Sequence, residues 1–93
     1  MKTFNPTKND IGCIIDCGHC SADELNARTI RFAEAYGFDA GEIPDEESED
    51  YSEIISEAGD DAVDFLNGLD GLPYCSFSFE DNSLFYMPYI ENV

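Results

Sequence analysis

Apolar and polar positions repeat with two different periods along this chain. From Tyr51 to Leu69 the apolar residues Tyr51, Ile54, Ile55, Ala58, Ala62, Phe65, Leu66 and Leu69 fall at the 3.6-residue period of an amphipathic helix. That helix is predicted to start near Ser48 or Asp50 and to end at Gly68 or Gly71. From Tyr74 to Glu80 the period changes to two, with Cys75, Phe77 and Phe79 on one side and Ser76, Ser78 and Glu80 on the other. Asp81-Asn82 is a two-residue hairpin turn. It sets Phe79 opposite Leu84 and Phe77 opposite Tyr86, and gives a core face of Cys75, Phe77, Phe79, Leu84 and Tyr86.

Upstream, Ile11 to Ile15 reads as a short strand closed by Asp16 and Gly18. Ser21-Ala-Asp-Glu24 has the spacing of a capping box, in which the Ser hydroxyl takes the Glu24 amide and Glu24 reaches back. The helix it opens carries Leu25, Thr29, Phe32 and Tyr36 on one face and stops at Gly37. Residues 39–50 are an acidic loop, with Gly41 and Pro44 breaking regular structure and like charges keeping it extended. The order is β-α-α-β-β. The predicted class is α+β, one domain over residues 1–93, with a small antiparallel sheet and two helices on one face.

Charge adds a second pattern. The chain has 21 acidic and 4 basic residues, a formal net charge of -17. Residues 1–37 hold 5 acids and all 4 bases, residues 38–70 hold 13 acids and no base, and residues 71–93 hold 3 acids. Such a chain repels nucleic-acid phosphates and anionic membranes and attracts basic surfaces, so the expected partner is a basic protein surface and not nucleic acid or lipid. Glu53, Glu57, Asp60, Asp61 and Asp64 lie opposite the apolar stripe of the second helix, and Glu49 and Asp50 extend the row. At about 1.5 Å rise per residue the row spans roughly 22 Å. Its carboxylates lie on the order of 5–6 Å apart, near the phosphate spacing of a nucleic-acid strand. Solubility or high-salt adaptation also uses acids. A face meant only for water, however, gains from interspersed Lys, because like charges at i,i+4 destabilise a helix.

Three other constellations bear on function. Cys13, Cys17, His19 and Cys20 place four zinc-ligand types within eight residues, but the C-x3-C-x2-C spacing is not a paired knuckle and only Cys75 follows. The reading is reduced or incidental thiols, Cys13 in the core, with a small zinc-stabilised module as a lesser alternative. Cys17 and Cys20 precede a helix N-terminus, which lowers thiol pKa values, but no thioredoxin-like pattern surrounds them. Phe85, Met87 and Tyr89 alternate away from the core face and form a second interface for a dimer or adaptor partner, unless the N-terminal segment with Phe4 covers them. Catalysis is not expected: His19 is the only His, and no phosphate loop, nucleophile elbow, metalloprotease helix or calcium loop is present. No cofactor is expected either. Met1 and Lys2 lead into polar Asn5, Pro6 and Thr7, so the expected location is cytoplasmic.

The segments Ile11 to Asp16, Ser21 to Glu24, Tyr51-Ser-Glu-Ile-Ile-Ser-Glu-Ala58 and Phe79-Glu-Asp-Asn-Ser-Leu84 resemble small acidic proteins encoded by tailed bacteriophages. The likeness lies in size, acidity and a helix followed by a terminal hairpin. That broad group includes anti-restriction and anti-CRISPR proteins, some of which mimic DNA. The resemblance implies an inhibitor of a host defence complex, acting in the cytoplasm of an infected bacterium. It carries over no individual residue.

Overall fold

The computed structural model describes residues 3–69, 71–72 and 74–88. Its order is β1 (Gly12–Asp16), α1 (Ala22–Glu34), α2 (Tyr51–Asn67), β2 (Cys75–Glu80) and β3 (Ser83–Pro88), preceded by a 3-10 turn at Lys8–Asp10. The α+β class and the β-α-α-β-β order are those predicted. The sheet is antiparallel with strand order β1-β3-β2, so the last strand is its centre.

The hairpin forms in the expected register, Phe77 against Tyr86 and Phe79 against Leu84. Both turn residues take positive φ, Asp81 at 48° and Asn82 at 57°. That is the left-handed pair that matches strand twist, and Asp and Asn tolerate it better than most side chains. Phe77, Leu84 and Tyr86 are buried, while Cys75 and Phe79 pack half-buried against them.

On the other side of β3, Cys13 pairs with Phe85 and Ile15 with Leu84, which leaves Ile14 as the extra residue of a β-bulge. The bulge lets two consecutive isoleucines, Ile14 and Ile15, both pack on the core. It also leaves Cys13 exposed, so the expectation of a core Cys13 is not met. Cys13 shares the outer face with Phe85.

Ser21 caps α1 by accepting the Glu24 amide at 3.1 Å. Glu24 does not reach back, because its Oε1 takes the Arg28 Nε instead at 3.0 Å. The buried face of α1 is Leu25, Thr29, Ile30 and Ala33. The helix ends at Glu34, so Tyr36 lies in the turn beyond it, where Gly37 takes a φ of 105°. Thr29 is tolerated in the core because its hydroxyl donates to the Leu25 carbonyl at 2.8 Å.

Helix α2 buries Ile55, Ala58, Gly59, Ala62 and Leu66. Gly59 permits the close approach of α1: a β-carbon there would lie 2.7 Å from Asn26 Cγ. The acidic loop is less free than its charge suggests. Phe38, Ala40 and Ile43 pack on the core, and the rings of Phe38 and Phe65 lie 5.4 Å apart.

Candidate functional site

All seven predicted carboxylates, Glu49, Asp50, Glu53, Glu57, Asp60, Asp61 and Asp64, are exposed. The buried stripe of α2 fixes the rotation of the helix. At about 100° per residue the five within the helix, Glu53, Glu57, Asp60, Asp61 and Asp64, fall within an arc of about 100° on the opposite side. The regular row is shorter than the sequence suggests. Helix α2 begins at Tyr51, so Glu49 and Asp50 sit in the preceding turn, and Asp50 occupies the cap position without a side-chain capping bond. From Glu53 to Asp64 the helical row covers about 16 Å.

These carboxylates are chemically uncommitted. Asp10, Asp23, Glu24 and Asp39 all accept hydrogen bonds from their own chain. Among the described residues none of the seven does so. The described bases, Lys8, Arg28 and Arg31, all lie before Gly37, and the ion pair found there is Arg28 to Glu24. The last turn of α2 has no basic residue to offset the negative end of the helix dipole, and Asp64 stands in that turn. The arrangement opposes local helix stability.

The hairpin enlarges this surface in a way the linear sequence does not display. A cavity of about 290 Å³ lies between the start of α1, α2 and the hairpin tip. Leu25 and Phe79 contribute its apolar lining, and Asp60, Glu80 and Asp81 its carboxylates. Glu80 and Asp81 thus join the acidic face through the fold. No local signal in the sequence marks it, since the alternation sets Glu80 on the strand face away from Phe79.

The second predicted interface is partly in view. Phe85 lies half-buried between Cys13 of β1 and Ser78 of β2, and Met87 is 40% exposed. Tyr89 lies outside the described residues. Phe4 does not cover this face. It packs on the inner one, with ring centroids 5.5 Å from Phe77 and 5.7 Å from Tyr86.

The cysteine expectations need correction. Cys17 and Cys20 are joined as a disulfide, and Cys13 and Cys75 are free. Cys13 faces out from the sheet, Cys17 is buried and His19 is exposed. Among the described residues, no three His, Cys, Asp or Glu side chains gather where they could hold a metal ion. The disulfide closes a ring of only four residues, so its entropic contribution to stability is small, about 2 kcal/mol. Burial pushes the Cys75 thiol upward. Tyr51 is raised by burial first and then by Glu46, Asp23 and Glu24, with Arg31 pulling the other way.

No helix among the described residues is long and apolar enough to cross a membrane. Comparison with protein-family models, with curated proteins and with solved structures finds no match to this chain.

Proposed function

We propose that this protein is an inhibitor that occupies a basic nucleic-acid-binding site on a host defence complex of the CRISPR or restriction type. The observation that carries the reading is the exposed face of α2: five carboxylates within one arc with Glu49 and Asp50 exposed in the turn before it, no intramolecular donors to them among the described residues, and no base between residues 38 and 69. A rigid row of carboxylates at near-phosphate spacing presents to Lys and Arg what a nucleic-acid strand presents. Mutual repulsion along the row is relieved on meeting positive charge, which favours fast, steered association. The resemblance to phage-encoded acidic proteins supplies the class of target. In this reading the protein acts by binding, in the cytoplasm of an infected bacterium.

The test is charge reversal. Glu57→Lys with Asp61→Lys alters two exposed side chains and should leave the helical spectrum and melting behaviour intact. It should weaken binding to the basic target, most at low salt, where the screening length approaches about 30 Å in place of about 8 Å. A double variant that inhibits as well as the original ends this reading.

A second reading rests on a different observation, the outer face of the sheet, which no other element among the described residues covers. There Phe85 and Met87 offer an apolar patch for an adaptor partner or a second copy. Binding through that face would survive high salt and the α2 charge reversal, but not Phe85→Ser.

A further inference from the structure

We propose that Cys17 and Cys20 form a thiol–disulfide exchange site for small thiols, in which Cys20 is the sulfur attacked and Cys17 the sulfur released. The pair occupies the junction between two elements. Cys17 follows the last residue of β1, Gly18 and His19 make the turn, and Cys20 stands one residue before the Ser21 cap of α1. A ring this short adds little constraint to the unfolded chain, so the bond is poorly suited to serve as a structural staple.

The turn is held by other bonds. The Cys20 amide donates to the Cys17 carbonyl at 2.6 Å. The Cys20 carbonyl accepts Asn82 Nδ2 at 2.6 Å, and the Cys17 amide donates to Ser83 Oγ at 3.4 Å. Opening the sulfur bond leaves these contacts in place, so the two thiols stay poised to reclose at high effective concentration. Unlike a staple, the pair can cycle without unfolding.

Access sets the direction of exchange. Cys17 is 5% exposed, whereas Cys20 is only half-buried and reachable from solvent. The positive end of the 13-residue helix α1 lies next to Cys20. An incoming thiolate bonds to Cys20 Sγ. The Cys17–Cys20 bond breaks, and Cys17 leaves with the electron pair and takes up a proton. A second thiolate then attacks the external sulfur of the mixed disulfide, releasing Cys20 as thiolate and the external pair as a disulfide. Two electrons pass from two thiols to the protein, one of the two thiol protons goes to Cys17 and the other to solvent, and an external disulfide drives the reverse. Asp16, Asp23 and Glu24 flank the pair, and the whole chain is strongly acidic. Cationic thiols are therefore preferred over anionic ones.

The experiment uses the folded full-length chain carrying Cys13→Ser, with cysteamine and its disulfide as the probe. Cys17 and Cys20 are read by acid quench, alkylation and peptide mass. The pair should titrate reversibly as the thiol-to-disulfide ratio changes, while the far-ultraviolet spectrum stays constant. In Cys17→Ser, cysteamine disulfide should trap on Cys20 at least about tenfold faster than it traps on Cys17 in Cys20→Ser. Cysteamine should also reduce the pair several-fold faster than 3-mercaptopropionate at low salt. If either variant fails to fold, a short pulse of N-ethylmaleimide on the reduced parent protein should alkylate Cys20 before Cys17. Exchange only in denaturant, thiols that stay open in excess cystamine, equal or faster trapping at Cys17, or no preference for the cationic thiol would overturn the proposal.

Discussion

The side chain of Asn67 binds the backbone of Phe77 at both ends: Oδ1 accepts the Phe77 amide at 2.7 Å, and Nδ2 donates to the Phe77 carbonyl at 3.2 Å. β2 is an edge strand, so these two groups point away from β3 and need a partner. The carboxamide supplies what a neighbouring strand would supply. It also fastens the end of α2 to the sheet and so helps to fix which way the acidic face points. Asn67→Ala leaves both groups unpaired and should lower stability by about 1–3 kcal/mol, read from urea denaturation. An unchanged midpoint would mean that water replaces the clamp at no cost.

Gly59 gives a prediction whose sign separates packing from propensity. On helix propensity alone, Gly59→Ala should stabilise α2 by about 1 kcal/mol. The new β-carbon would lie 2.7 Å from Asn26 Cγ and 3.1 Å from its Cβ, so the Asn26 carboxamide must swing away and its Cβ give by a few tenths of an ångström. The expected result is destabilisation by about 1–3 kcal/mol. Adding Asn26→Ala should recover most of the loss, and stabilisation by Gly59→Ala alone would contradict the helix packing described above.

Alkaline pH should unfold the protein progressively. Burial raises Tyr86, although the Leu72 amide bonded to its hydroxyl at 2.7 Å works the other way, and burial also raises Cys75 and Tyr51. A folded-state pKa above the unfolded one means that the folded chain binds more protons between the two values. Stability is therefore intact below about pH 9 and falls as the pH rises through about 9 for the thiol and about 10 for the phenols toward their folded values. Tyr86→Phe should reduce this alkaline loss. At neutral pH it should cost about 1 kcal/mol for the Leu72 bond. Melting temperature against pH for the two proteins checks both statements.

The elements that were legible in the sequence are those with a sustained period. The stripe of α2 and the alternation on either side of Asp81-Asn82 left little choice of face, and the hairpin register followed from the turn length. The features that stayed hidden depend on contacts between distant residues. Ile14 and Ile15 are adjacent apolar residues, and nothing local shows that a bulge turns both inward. Phe38, Ala40 and Ile43 are scattered among acids, so their anchoring of the loop was masked by charge. Asn67 reads as a polar residue near a helix end until β2 is placed beside it. The Cys17–Cys20 bond is not legible because the same C-x2-C spacing suits free thiols in a cytoplasmic chain. For the candidate site, the α2 carboxylates could be placed from helix rotation alone. Glu80 and Asp81 could not, since they join that surface across the cavity beside Leu25 and Phe79.

The central claim is that the acidic face takes the place of nucleic acid, and competition tests it most directly. The tagged protein is used to isolate its target from a bacterial lysate, and labelled DNA or RNA is then titrated against the purified complex. The account predicts mutual exclusion: stoichiometric protein abolishes nucleic-acid binding, and Glu57→Lys with Asp61→Lys restores it. A ternary complex in which the target holds protein and nucleic acid together at undiminished affinity would contradict it.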